Sequence, residues 1–197
     1  MIGVINYGTG NIRSVANALQ RLGVEFFVSN DAVKLSCADK LIFPGVGEAR
    51  HAMDELYRLN LVDWIKQVQV PFLGICLGMQ LLFERSVERE TECLGLIPGT
   101  VQQFCVDKNQ LKVPHMGWNQ IQLVKDDPLF SGIHSGEFFY FVHSYYVPIT
   151  AETIAQTEYG ISFASAVRWK NFRGVQFHPE KSSKEGLHLL KNFIELC

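Results

Sequence analysis

A thiol flanked by glycines is the first feature of this chain that could do chemistry. Cys76 is the centre of Gly74-Ile75-Cys76-Leu77-Gly78, a G-x-nucleophile-x-G pattern where an apolar run gives way to a helical one. A sharp strand-to-helix turn of this form strains the central residue's backbone, and the flanking glycines leave space that a Cβ would fill. The thiol would stand at the carboxyl end of a sheet, where open α/β sheets place their ligands. It would also stand at a helix N-terminus, whose positive end favours thiolate over thiol. The N–H of Leu77 points toward any oxyanion formed beside the sulfur, and the turn Gly45-Val46-Gly47 can supply a second donor. The same pattern also suits a buried cysteine in a tight turn that needs glycine only for packing.

A cysteine nucleophile needs an imidazole to take and return its proton, and that imidazole needs a carboxylate on its other nitrogen. Gln176-Phe177-His178-Pro179-Glu180 provides both, after the last predicted strand. Proline biases His178 toward extended backbone, so His178 and Glu180 can project to one side. A strand-end histidine beside a solvated glutamate is the plainer alternative. His51, His134 and His188 read as surface residues.

The elements that must position these groups alternate through the first 80 residues. Apolar runs at Ile2–Ile5, Val24–Val28, Leu41–Phe43 and Pro71–Ile75 read as strands. Ile12, Val15, Ala16, Leu19 and Leu22 follow helical spacing before Gly23, and a helical stretch runs through Met53 and Tyr57. A further helix is predicted from Leu77 to about Arg85. From Leu94 to Val167 the segments are short, β-branched or aromatic, with turn signals at Pro98-Gly99, Asp107–Asn109 and Asp126–Pro128. The run Phe138–Val142 reads as a strand buried on both faces. Gly174–Phe177 reads as one more strand, and Glu185–Leu196 as a closing amphipathic helix. The pattern predicts one α/β domain over residues 1–197, with a mostly parallel central sheet flanked by helices and added β structure in the C-terminal half.

Composition narrows the function classes. The 197 residues are 47% hydrophobic and 19% charged, with 18 Lys+Arg against 20 Asp+Glu and a net charge of −2. That balance argues against a nucleic-acid-binding surface. No stretch approaches the ~20 mostly apolar residues of a membrane span, and no signal-peptide pattern opens the chain; the expectation is a cytoplasmic protein. The five cysteines are irregularly spaced, with no C-x-x-C pair and no zinc pattern. Cys37, Cys93, Cys105 and Cys197 read as small packing hydrophobes.

Together, PGVG at 44–47, GICLGMQ at 74–80 and QFHPE at 176–180 resemble class I, triad-type glutamine amidotransferase domains, flavodoxin-like in fold. The likeness spans essentially the whole chain. It implies hydrolysis of the glutamine amide to glutamate and ammonia without a cofactor or metal. Cys76 would be the nucleophile, His178 the base and then acid, and Glu180 the residue that orients His178. Val46 and Leu77 would donate to the oxyanion, with Gly47 in the same turn. Gln80 and Glu88 fall where the family binds glutamine, and the backbone around Gly47 and Ser144-Tyr145 would meet its carboxylate.

NYGTGNIRSV at the start, PHMGWN at 114–119, FVHSYY at 141–146 and GLHLLKNF at 186–193 are similar to the glutaminase subunits of imidazole glycerol phosphate synthases of histidine biosynthesis. That likeness implies a heterodimer with a (β/α)8 cyclase subunit, which takes the ammonia to form imidazole glycerol phosphate and an aminoimidazole carboxamide ribotide. Met116, Trp118 and Asn119 would face that partner, with a buried Trp118 as the alternative. The short chain itself leaves no room for a synthase. Asn6, Thr9 and Glu48-Ala49-Arg50 depart from the family's common residues, the last three at the mouth of the site. Rival readings are a paralogue serving surface-sugar amidination, an amidotransferase for pyridoxal phosphate or purine synthesis, a stand-alone cysteine hydrolase, and a non-catalytic module.

Overall fold

A computed structural model describes residues 1–105 and 112–197, so the turn signal at Asp107–Asn109 lies outside the described residues. The first half is β1 (Ile2–Ile5), α1 (Ile12–Arg21), β2 (Phe26–Ser29), α2 (Ala32–Leu35), β3 (Lys40–Gly45), α3 (Ala49–Arg58), α4 (Val62–Gln67), β4 (Phe72–Cys76) and α5 (Leu77–Gln80). Then come β5 (Phe83–Ser86), β6 (Thr91–Glu92), β7 (Ile97–Gln103), β8 (His115–Gln120), β9 (Gln122–Leu123), β10 (Phe138–His143) and β11 (Tyr145–Tyr146). The chain closes with β12 (Thr153–Tyr159), β13 (Ile161–Trp169), β14 (Phe172–Val175) and α6 (Ser183–Leu196).

Eight strands form the central sheet in the order β2-β1-β3-β4-β14-β13-β12-β9. From β2 to β14 every neighbouring pair is parallel, and from β14 to β9 every pair is antiparallel. The predicted α/β sheet is therefore mixed, with its parallel part carrying the nucleophile. β4 is buried along its whole length between β3 and β14, as a strand covered on both faces must be. Side chains alternate across the sheet: Val4, Leu73 and Ile75 pack with Leu19, Leu189 and Phe193 on the α1 and α6 side. Phe43 and Phe72 pack with Leu56 and Ile65 on the α3 and α4 side. Gly23 ends the first helix with φ +66°, a left-handed conformation that glycine adopts without cost.

Two segments differ from the sequence reading. The helix expected from Leu77 to Arg85 stops at Gln80, and Phe83–Ser86 turns into a strand. Long-range pairing overrides the helical spacing there: β5 lies parallel to β7 and antiparallel to β6, in a separate sheet β11-β7-β5-β6. The aromatic run at β10 is not buried on both faces. Among the described residues it pairs with β8 alone, and Phe139, Phe141 and His143 face the core while Phe138 stands half exposed on the outside. The packing role expected of four cysteines holds for Cys93, which is buried. Cys37, on the turn after α2, and Cys105, just past the end of β7, are exposed, and Cys197, after α6, is partly so. His51 and His134 are exposed as expected, whereas His188 is half buried, its ring against Gly132.

Candidate active site

Cys76 ends β4 at φ +55°, ψ −110°, a conformation that costs a non-glycine residue strain and persists only when its surroundings impose it. What imposes it is close packing of the turn on β3. A Cβ on Gly78 would come within 1.9 Å of the Phe43 carbonyl oxygen, and one on Gly74 within 2.6 Å of the Gly78 carbonyl oxygen. The two glycines flanking Cys76 are thus both required by backbone contacts. Cys76 is buried, yet it lines a cavity of about 310 Å³ with Val46, Gly47, Leu77, Gln80, Glu88 and the stretch Val142–Tyr145. A cleft of this size suits a small metabolite.

The imidazole and carboxylate come from the turn after β14. His178 Nδ1 lies 2.8 Å from Glu180 Oε1, with both side chains 1% exposed. The other ring nitrogen, Nε2, and Glu180 Oε2 are buried without a hydrogen-bond partner of good geometry. Burial pulls the His178 proton affinity down. The negative charge of a Cys76 thiolate, contact with its sulfur and the Glu180 carboxylate more than reverse that pull, so the pKa rises to about 10. The sulfur therefore stands beside a ring that holds its proton. This arrangement is built for nucleophilic attack followed by proton delivery to a leaving group.

Two side chains that the sequence reading did not single out complete the cluster. Asn11 donates from Nδ2 to Glu180 Oε1 at 3.4 Å and accepts the Ser14 hydroxyl at 2.7 Å. Gln176 donates from Nε2 to the Cys76 sulfur at 3.6 Å and accepts from Gln80 Nε2 at 2.9 Å. Strand alternation placed Gln176 on the same side as His178, and Asn11 follows the first strand at the ligand-binding end of the sheet, so a signal existed for each.

The remaining candidates divide by location. Gln80 is buried and also donates to the Tyr145 carbonyl at 2.9 Å, joining α5 to β11. Glu88 is half buried; its Oε2 accepts the N–H of Ala49 at 2.7 Å, at the start of α3. Burial raises the Glu88 pKa, the Ala49 N–H lowers it, Glu48 raises it and Arg89 lowers it, with a net rise. Glu48 and Arg50 fasten this loop. Glu48 pairs with Arg89 at 3.2 Å, and Arg50 donates to the carbonyls of Arg89 and Glu90 at 2.9 and 3.3 Å. Those two carbonyls belong to residues at φ +51° and +50°. Met116 and Trp118 lie on the outward face of β8, 63% and 51% exposed, so Trp118 is not buried. Asn119 points the other way, donating to the Glu158 carbonyl at 2.9 Å and meeting His115 Nε2 at 3.2 Å.

Among the described residues, no cluster of three or more His, Cys, Asp or Glu is placed to hold a metal ion. Nor is any helix there long and apolar enough to cross a membrane.

A strained cysteine at a β-α turn, faced by a buried imidazole–carboxylate pair on a doubly wound sheet, defines a triad hydrolase, and the family follows directly. The model of the glutamine amidotransferase class-I family matches residues 3–196, and the chain belongs to that family. Among curated relatives, it is 50% identical over 195 residues to the imidazole glycerol phosphate synthase subunit HisH of Bacteroides fragilis, covering 99% of each chain. The HisH of Archaeoglobus fulgidus is 45% identical over 199 residues, covering 100% of this chain and 98% of the relative. Solved structures show the same fold. A glutamine amidotransferase crystal structure superposes with a TM-score of 0.75 at 20% identity, covering 98% of both chains. The structure of PurLQS from Thermotoga maritima gives 0.73 at 18% identity, covering 98% of this chain and 96% of that one.

Proposed function

We propose that the chain is the glutaminase subunit of an imidazole glycerol phosphate synthase, hydrolysing L-glutamine and passing ammonia to a (β/α)8 cyclase subunit in histidine biosynthesis. The observation that carries the chemistry is Cys76, lining the cavity at φ +55°, beside the buried His178–Glu180 pair. The pathway is supported by identity near 50% over almost the full length of relatives named HisH.

The Cys76 thiolate attacks the glutamine amide carbon, and the carbonyl oxygen becomes an oxyanion received by the Val46 and Leu77 N–H groups, with Gly47 giving the turn its left-handed φ of +95°. His178 delivers its proton to the amide nitrogen, the C–N bond breaks, and ammonia leaves a γ-glutamyl thioester. His178 then takes a proton from water as the water attacks, and glutamate departs. Glu180 holds the ring in the orientation both steps need. Glu88 meets the ammonium of the substrate, Gln80 lines its side chain, and the backbone at Ser144 and Tyr145 meets its carboxylate.

The partner docks on the outward face of β8 and β10. Trp118 lies opposite Tyr140 with the rings edge-on at 6.2 Å, and Met116 lies opposite Val142. With the exposed Phe138, these residues make a continuous apolar patch of the kind that marks an interface. Glutaminase activity of the wild-type chain and of Cys76→Ala, each with and without the cyclase subunit, tests the reading. Turnover in the wild-type complex and its loss by about 10⁶-fold in the alanine variant is the expected result. Full activity in Cys76→Ala would remove the nucleophile from this account.

A further inference from the structure

A pair of histidines lies on the β8–β10 side of the pocket, away from the triad. His115 and His143 face each other in the β8–β10 register and are both buried, at 3% and 6% exposed. Asn119 Nδ2 lies 3.2 Å from His115 Nε2, His115 Nδ1 lies 3.0 Å from His143 Nε2, and His143 Nδ1 lies 2.8 Å from the Tyr145 carbonyl oxygen. The ends of this chain fix its polarity. A carbonyl oxygen only accepts, so His143 Nδ1 carries the proton there. At the other end Asn119 Nδ2 also donates to the Glu158 carbonyl while Asn119 Oδ1 accepts the Gln120 N–H, so the amide nitrogen faces His115 and donates to it. His115 Nδ1–H must then donate to His143 Nε2. Each ring has one proton and one acceptor, and an added proton on either would set N–H against N–H.

Packing holds the His115 ring as firmly as its bonds do. It is stacked on Phe141 at 4.9 Å and on Tyr159 at 4.0 Å, with interplanar angles of 23° and 21°. At the far end, the Tyr145 carbonyl that receives His143 also receives Gln80 Nε2, which reaches through Gln176 to the Cys76 sulfur. One backbone oxygen therefore joins a chain of bonds from β8 to a chain of bonds ending on the nucleophile.

We propose that His115 and His143 are positioning residues: neutral imidazoles of fixed tautomer that hold the Ser144–Tyr145 backbone, and through it Gln80, in place for glutamine. Burial lowers both rings, His115 to about 4 and His143 to about 3, in keeping with neutral rings at physiological pH. The inference rests on the reading of this pocket as a glutamine site, and its test separates the two.

Glutamine hydrolysis is measured for the full chain with its partner subunit, as wild type, His115→Phe and His115→Asn. Phenylalanine keeps the stack and removes the donor, leaving His143 Nε2 buried and unpaired. The KM for glutamine should rise about tenfold while kcat changes less than about threefold. Asparagine, which returns a donor near the Nδ1 position, should recover most of the loss. An unchanged KM in an active His115→Phe complex overturns the positioning role. If the wild-type complex hydrolyses no glutamine, the functional reading fails instead. Nitrogen NMR of the wild-type imidazoles then tests the pair without substrate, and also covers a phenylalanine variant that fails to fold. Nδ1–H tautomers on both rings from pH 5 to 8 are expected, and a charged ring or an Nε2–H tautomer in that range overturns the proposal.

Discussion

Two regions around the pocket carry buried histidines that have been driven in opposite directions. His178, on the turn after β14, is raised to about 10, whereas His115 and His143, on β8 and β10, are lowered to about 4 and about 3. Burial acts the same way on all three, disfavouring the charged ring. The neighbours differ. His178 has the Cys76 sulfur on one side and the Glu180 carboxylate at 2.8 Å on the other. His143 has a carbonyl oxygen and a second neutral ring, and His115 has an amide and two aromatic faces. A buried imidazole is a proton carrier only where formal negative charge lies against it; elsewhere it is a rigid hydrogen-bonding strut. On the proposed reading, the His178 side does the chemistry and the His115–His143 side gives it a fixed frame.

Removing the carboxylate beside His178 should narrow the difference. Glu180→Gln keeps the shape of the side chain but loses its charge, so the ring should titrate lower than in the wild type by NMR, with Cys76 still holding it up, and kcat for glutamine should fall by ~10³–10⁴. A variant with unchanged kcat would mean that Glu180 does not orient the base. The other region is broken by acid. His115 and His143 stay neutral in the folded protein down to about pH 4 and 3, while in the unfolded chain they bind protons below about 6.5. The stability linked to neutral rings is present above that value and is lost as pH falls. In His115→Phe the decline in unfolding free energy between about pH 6 and 4 should be shallower by about 1.4 kcal/mol per pH unit, measured by urea denaturation. An unaltered slope would mean that His115 is already charged in the folded state. The smallest effect belongs to Asn11→Ala, which removes one long hydrogen bond to Glu180. Glutaminase kcat should fall a few-fold, in line with about 1 kcal/mol for such a bond. A loss approaching that of Glu180→Gln would make Asn11 a full member of the triad rather than its support.

The parallel half of the fold was more legible in the sequence than the antiparallel half. Strands β1, β3 and β4 carry continuous apolar runs because both their faces are covered, and glycines mark the turns that follow them. Local pattern and tertiary role agree there. In β5 they part: Leu82 and Phe83 follow Met79 at helical spacing, but Phe83 is paired with Ile97 of β7, outside the reach of a local pattern. The run Phe138–Val142 reads as doubly buried because its apolar content does not reveal which of its faces is covered. Its outward side chains are apolar for another reason, since that face is proposed to meet a partner.

Cys76, His178 and Glu180 could be named from residue type and short spacing, because the turn glycines and the proline between His178 and Glu180 act within a few residues. The same locality made the β4–α5 turn and its strained cysteine predictable. Only the tertiary structure brought Asn11 to Glu180, Gln176 to the sulfur, and Glu88 to the N-terminus of α3. It alone decided the charge of each histidine, because a side chain's pKa depends on burial and on neighbours that arrive from distant strands. Covalent order supplied the reacting groups; folding set their protonation.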